Sequence, residues 1–185
     1  MTNFIRTDWD SFSHGQILSK LWLCETLEQF LPTDGSIAIL GSWYNILGFM
    51  LRVRGNQQTI TAYDLDPTAT EIADKITNCW SMSGPIINKT ADVNNVDLGT
   101  YQIIINTSCE HMSSNWFTSI KPGTLVCLQS SNLDIVNDPW FISNPSTTWE
   151  SFDKKFPMAQ TVYQDKLPID YATWGYERYM KIGYK

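Results

Sequence analysis

Apolar residues recur along this chain with two periods. Between residues 13 and 31, Ile17, Leu18, Leu21, Trp22, Leu27, Phe30 and Leu31 return at spacings of three and four, the repeat of a helix with one face in a core. Ser13 and Gln16 stand three apart at its start, the spacing of a capping box, and Pro32, Asp34 and Gly35 end it. Short apolar runs of strand length then alternate with helical stretches. Ile37 to Leu40 reads as a buried strand closing at Gly41, Tyr44 to Arg54 as a helix stopped by Gly55-Asn56, and Thr59 to Tyr63 as a strand. Asp66-Pro67 opens a helix through about Trp80, because Asp favours the N-cap and Pro the first helical position. Ile86 to Asn88 and Tyr101 to Asn106 read as strands, the latter with Ile103-Ile104-Ile105 at its centre. A helix near Ser113 to Ser119, a turn at Lys121-Pro122-Gly123 and a strand from Thr124 to Gln129 follow.

The alternation from Ile37 to Gln129 predicts βαβ units and a parallel sheet covered on both faces. Past Ser130 it stops. Residues 131–147 read as a long polar loop, Thr148 to Phe156 as a short helix, and Ala159 to Gln164 and Tyr176 to Tyr184 as two late strands, with a loop from Asp165 to Gly175 between them. The expected organisation is one domain over 1–185: an N-terminal helical segment (1–35), a core (36–130) and a loop with terminal strands (131–185).

Composition narrows the function classes. Hydrophobic residues make up 43% of 185, enough for a sizeable core. The formal net charge of −6, with no Lys/Arg cluster, argues against a nucleic-acid partner. Cys24, Cys79, Cys109 and Cys127 form no CxxC pair, and with only His14 and His111 beside them no metal site is expected. Scattered thiols suit a reducing cytoplasm. The polar start, Met1 to Asp10 with Arg6, Asp8 and Asp10, lacks a signal-peptide apolar stretch, and no apolar run approaches the roughly 20 residues that span a bilayer.

Four local features resemble the class I S-adenosylmethionine-dependent methyltransferases. The first is strand, Gly41, turn, helix; here Ile39 stands where the family has an acid, and Ser42-Trp43-Tyr44-Asn45 replaces most of its glycines. The second is Asp64 in Tyr63-Asp64-Leu65-Asp66-Pro67, at the position of the family's ribose-binding acid, where two carboxylate oxygens suit two hydroxyl donors. The third is Asp92 after the third strand, where the family often contacts the adenine amino group. The fourth is Ile120-Lys121-Pro122-Gly123-Thr124-Leu125-Val126, similar to the turn into the family's fifth strand. The resemblance implies a doubly wound α/β fold: a mostly parallel seven-stranded sheet, helices on both faces, and the last strand antiparallel. It also implies S-adenosyl-L-methionine as cofactor, with Gly41, Ser42, Trp43, Asp64, Asp92 and Asn106 as its binding residues.

Asn106-Thr107-Ser108-Cys109-Glu110-His111 leaves the carboxyl end of the strongest strand, where doubly wound folds bind ligands. Glu110 and His111 are the candidate catalytic residues, because a carboxylate or an imidazole can orient or deprotonate a methyl acceptor; a structural reading puts Glu110 in the first turn of a helix. Trp140, Phe141, Trp149, Trp174 and Tyr176 are candidates for a lid, and Gln16, Ser19 and Lys20 for contacts to the cofactor carboxylate or to substrate. The expected activity is methyl transfer to a small molecule or a protein side chain. A non-catalytic nucleoside- or S-adenosylmethionine-binding protein and a nicotinamide-dependent reductase of the same fold are the alternatives. Acceptor and oligomeric state stay open.

Overall fold

A computed structural model describes residues 10–78, 84–134 and 142–185. The expectations placed on Arg6, Asp8, Cys79, Trp80, Trp140 and Phe141 lie outside those residues. The described elements run α1 (His14–Leu27), β1 (Ser36–Leu40), α2 (Ile46–Val53), β2 (Thr59–Asp64), α3 (Pro67–Asn78), β3 (Ile86–Thr90), β4 (Ile103–Asn106), β5 (Leu125–Ser131), α4 (Trp149–Lys155), β6 (Gln160–Asp170) and β7 (Gly175–Tyr184). Four 3₁₀ turns, at Val93–Asn95, Leu98–Thr100, Cys109–His111 and Asn115–Ser119, fill the connections around β4.

The strands form one seven-stranded sheet in the order β3-β2-β1-β4-β5-β7-β6. β3, β2, β1, β4 and β5 pair in parallel, and β7 runs against both of its neighbours. This is a mostly parallel doubly wound sheet with the last strand reversed. The buried runs dictate it: β1, β4 and β5 are buried nearly end to end, as strands covered on both faces must be. Side chains alternate between two cores. Ile37, Ile39, Ile103, Ile105 and Cys127 pack under Leu23, Cys24 and Leu27 of α1 and Leu47 and Leu51 of α2. Ala38, Leu40, Ile104, Val126 and Leu128 face the other way, against Trp116, Phe117, Phe152, Phe156 and Tyr179. Each Leu, Ile, Val or Phe side chain among them, fully removed from water, contributes about 1.5–3 kcal/mol before chain entropy is counted.

Several boundaries differ from the sequence expectation, each for a local reason. α1 ends at Leu27, and its Ser13 makes no side-chain cap bond. Gln16 instead receives Lys20 Nζ on its Oε1 at 2.6 Å, so no capping box forms. α2 begins at Ile46 rather than Tyr44, because Trp43 and Asn45 both take φ of 50° and the chain cannot be helical until the Asn45 side chain caps Gly48 N–H. The helix expected over Ser113 to Ser119 is a 3₁₀ turn. The loop expected from Asp165 to Gly175 is mostly strand: β6 runs on to Asp170 and pairs with β7 along its length. Pro168 is tolerated there because β6 is the sheet edge. Two expectations on helix ends agree with the structure. Asp66 Oδ1 accepts Thr68 N–H at 2.8 Å ahead of Pro67, and Thr148 and Ser151 form a reciprocal capping box on α4.

Candidate functional site

The carboxyl ends of the parallel strands bring the turns after β1, β2, β3 and β4 to one edge of the sheet, the edge at which doubly wound folds bind ligands. Gly41 follows β1 with φ of 61°, a left-handed conformation that costs glycine little. Hydrogen bonds stitch this turn to its neighbours on both sides. Ser42 N–H donates to the Tyr63 carbonyl at 2.9 Å, and Trp43 N–H donates to Asp64 Oδ2 at 2.7 Å. On the other flank, Ser108 Oγ donates to the Gly41 carbonyl at 3.0 Å.

Asp64 is half-buried at the end of β2, and its other oxygen accepts Asp66 N–H at 3.0 Å. Burial raises its pKa above the ordinary carboxylate value, opposed by these backbone hydrogen bonds. Asp92 stands beside it, since Ala91 N–H donates to the Asp64 carbonyl at 2.8 Å. Asp92 is exposed and accepts from Asn94 N–H and Asn94 Nδ2, which caps the turn after β3. Trp43 is half-buried with its ring tilted on Tyr44 at 5.0 Å.

Asn106 is fully buried, and its side chain shapes the turn that follows β4. Its Oδ1 accepts Ser108 N–H at 2.8 Å and its Nδ2 donates to Met112 Sδ at 3.2 Å. The same turn packs onto Gly41. A Cβ added there would lie 2.5 Å from Met112 Cε and 3.1 Å from Ser108 Cβ. The buried Cys109 thiol is pushed well above its usual range by burial first and the Glu110 charge second, which leaves it without nucleophilic character.

Glu110 and His111 are adjacent in sequence and separated in environment. His111 is exposed. Glu110 is 2% exposed, with its Oε1 2.5 Å from Arg178 of β7 and receiving Ser131 Oγ of β5 at 3.2 Å. Arg178 also donates to the Thr107 carbonyl. Arg178 is the residue the sequence reading missed. Its signal was present, because strand alternation puts residues 176, 178, 180 and 182 on one face, and an Arg among Met180 and Ile182 is a charge on an apolar face. Lys20 carried the same signal on α1, four residues before Cys24 and seven before Leu27, both buried in the core.

The residues at the strand ends fit the nucleoside half of S-adenosylmethionine. A carboxylate has four lone-pair positions, and the backbone N–H groups at Asp64 leave room for ribose donors. The methionyl half has no acid from β1: Ile39 is buried in the α1-side core. Among the described residues, no helix is long and apolar enough to cross a membrane, and no three His, Cys, Asp or Glu are grouped to hold a metal ion.

No protein-family model and no curated protein matches the chain. Solved structures do. An S-adenosylmethionine-dependent methyltransferase from Methanosarcina mazei superposes with a TM-score of 0.71 at 12% identity, covering 86% of this chain and 96% of its own. Magnesium protoporphyrin IX methyltransferase from Synechocystis PCC 6803, solved with bound S-adenosylhomocysteine, gives 0.69 at 11% identity over 99% of this chain and 89% of its own. The YcgJ protein of Bacillus subtilis gives 0.68 at 12% identity over 90% and 97%. With its strand order and reversed β7, the chain has the fold of the class I S-adenosylmethionine-dependent methyltransferases.

Proposed function

We propose that this protein transfers a methyl group from S-adenosylmethionine to a small molecule or a protein side chain. The observation that carries the reading is the junction of Gly41, Trp43 and Asp64. A left-handed turn after β1 is hydrogen-bonded to an acid at the end of β2, within this strand order. Asp64 would hold the ribose hydroxyls, Asp92 and the turn after β3 the adenine edge, Trp43 a ring face against the nucleoside, and Gly41, Ser42 and the Asn106 turn the methionyl side. When bound, the cofactor supplies a methyl group on a sulfonium, a reaction governed by alignment more than by strong acid–base groups. His111, exposed on the turn after β4, would orient the acceptor or take its proton. Glu110, whose Oε1 is held in a buried pair with Arg178, would help to orient the acceptor.

The packing of Met112 and Ser108 onto Gly41 favours a second reading, a binding module of the same fold without catalysis, because these side chains fill space beside the cofactor turn. Calorimetry with S-adenosylmethionine, S-adenosylhomocysteine and NAD separates the readings. Saturable binding of the first two supports the proposal, and binding of NAD alone overturns it. Turnover in an acceptor screen then divides the enzyme from the module, and His111→Ala should keep cofactor affinity while losing that turnover.

A further inference from the structure

Beyond the apolar core under α1, the same face of the sheet turns polar where β5 and β7 continue toward the ligand edge. On β7, Ile182 and Met180 are in that core, and alternation carries the face on to Arg178 and Tyr176. On β5, Cys127 is in the core, Gln129 Nε2 donates to the Ser19 carbonyl of α1 at 2.9 Å, and Ser131 reaches Glu110. Lys20 of α1 closes the layer. Three charged residues are sealed here: Lys20 is 8% exposed, Arg178 6% and Glu110 2%.

This is more charge than packing requires. A buried ion pair does little better than apolar residues of the same shape, and a second cation beside it adds repulsion. The Lys20 ammonium is pushed down to about 7, by burial first and the Arg178 charge second, with Asp10 and Glu110 opposing. Hydrogen-bonding capacity is also left over. Among the described residues, Arg178 Nε, Glu110 Oε2 and Gln129 Oε1 are buried without a partner, and Lys20 Nζ bonds only to the Gln16 carbonyl at 3.4 Å and its Oε1 at 2.6 Å. Tyr176 joins the layer to an aromatic wall: Trp174 stacks on Tyr171 at 4.5 Å and on Tyr176 at 5.8 Å. The hydroxyls of Tyr171 and Tyr176 abut Gly15 at the start of α1.

We propose that this layer is the acceptor subsite and takes a small carboxylate that also carries a hydroxyl or an amine. The carboxylate pairs with Lys20 and Arg178, and the hydroxyl or amine donates to Glu110 Oε2. Its role as an acceptor site rests on the methyltransferase reading; its binding of a carboxylate does not. The leftover donors sit on the two cations and a leftover acceptor on the carboxylate, which is the complement of such a molecule.

Calorimetry on the cofactor-free protein with 4-hydroxybenzoate, 3-hydroxybutyrate and glutamate tests this, with 4-hydroxybenzamide as the uncharged control. At least one of the carboxylates should bind saturably, and the amide at least about tenfold more weakly, the loss of one charge-assisted hydrogen bond. Lys20→Met keeps the buried stem and removes a penalised charge, so it should fold and lose carboxylate affinity by about the same factor. Failure of all three carboxylates to bind, or unchanged affinity in Lys20→Met, overturns the proposal. So does a Lys20→Met protein that weakens S-adenosylhomocysteine but not 5′-methylthioadenosine, because the carboxylate held would then be the cofactor's. Carboxylate binding without S-adenosylhomocysteine binding supports the subsite while overturning the methyltransferase reading.

Discussion

Asp64, Lys20 and Glu110 carry the proposed binding chemistry at the scale of single residues. Asp64, the proposed ribose-binding acid, also has a structural role, because its two oxygens anchor the turn after β1 and its own turn. Asp64→Ala should therefore weaken S-adenosylhomocysteine binding by about 1.5–3 kcal/mol and also lower stability by about 1–2 kcal/mol, read by calorimetry and by urea unfolding. Asp66→Ala, which removes only a cap, should cost about 1 kcal/mol of stability and leave affinity unchanged. Lys20 makes stability depend on pH in a direction unusual for lysine. The folded chain releases its proton near 7 and the unfolded chain near the ordinary value of 10.5. Between those values the unfolded state holds more protons, so stability rises with pH, by up to roughly 1.4 kcal/mol per unit from this residue. The Lys20 penalty is fully present below about 7 and is gone above 10.5. Unfolding of the wild type and Lys20→Met across that window should give difference curves that converge as pH rises; parallel curves would mean that Lys20 titrates normally. Glu110→Ala leaves Arg178 uncompensated in the interior and should cost about 3–5 kcal/mol.

At the scale of elements, the turn between β1 and α2 departs furthest from regular geometry. Three of its five residues, Gly41, Trp43 and Asn45, have positive φ, and Asn45 restores helix geometry by capping Gly48. The two non-glycine residues there store strain that hydrogen bonds to Asp64 and Tyr63 offset. Gly41→Ala meets both a left-handed backbone and Met112 Cε, so it should destabilise by more than about 1 kcal/mol. Met112→Ala in the same background should recover only part of the loss, since it relieves the contact and not the backbone; full recovery in thermal melts would put the whole cost on the contact. By itself, Met112→Ala should tighten S-adenosylhomocysteine binding if this side chain competes for the space beside Gly41.

For the whole molecule, the sheet divides labour between its two halves. On the proposed reading β3, β2 and β1 present the nucleoside side; β5 and β7 present the charged layer, with the turn after β4 between them. S-adenosylhomocysteine should raise the melting temperature, because a ligand that binds only the folded state stabilises it by mass action. No shift at millimolar ligand would count against the cofactor. Cys24, Cys109 and Cys127 are buried and their thiols are all pushed upward by burial. In the native state they should resist alkylation and become reactive only on unfolding, as peptide mass spectrometry would show.

Local physics carried much of this into the sequence. Ile37 to Leu40 and Ile103 to Ile105 read as buried strands and Asp66-Pro67 as a helix start, because burial, cap chemistry and the proline ring act within a few residues. The extension of β6 to Asp170 was hidden, since its residues are mostly exposed and polar and the strand exists through its pairing with β7. Gly41 and Asp64 were legible as separate positions; their connection through Trp43 N–H needed the turn's left-handed backbone. Glu110 and His111 read alike as reactive neighbours. Tertiary structure divided them by bringing Arg178, 68 residues away, against Glu110 alone. A charge's meaning depends on what faces it across space, and sequence spacing does not encode a partner on another strand.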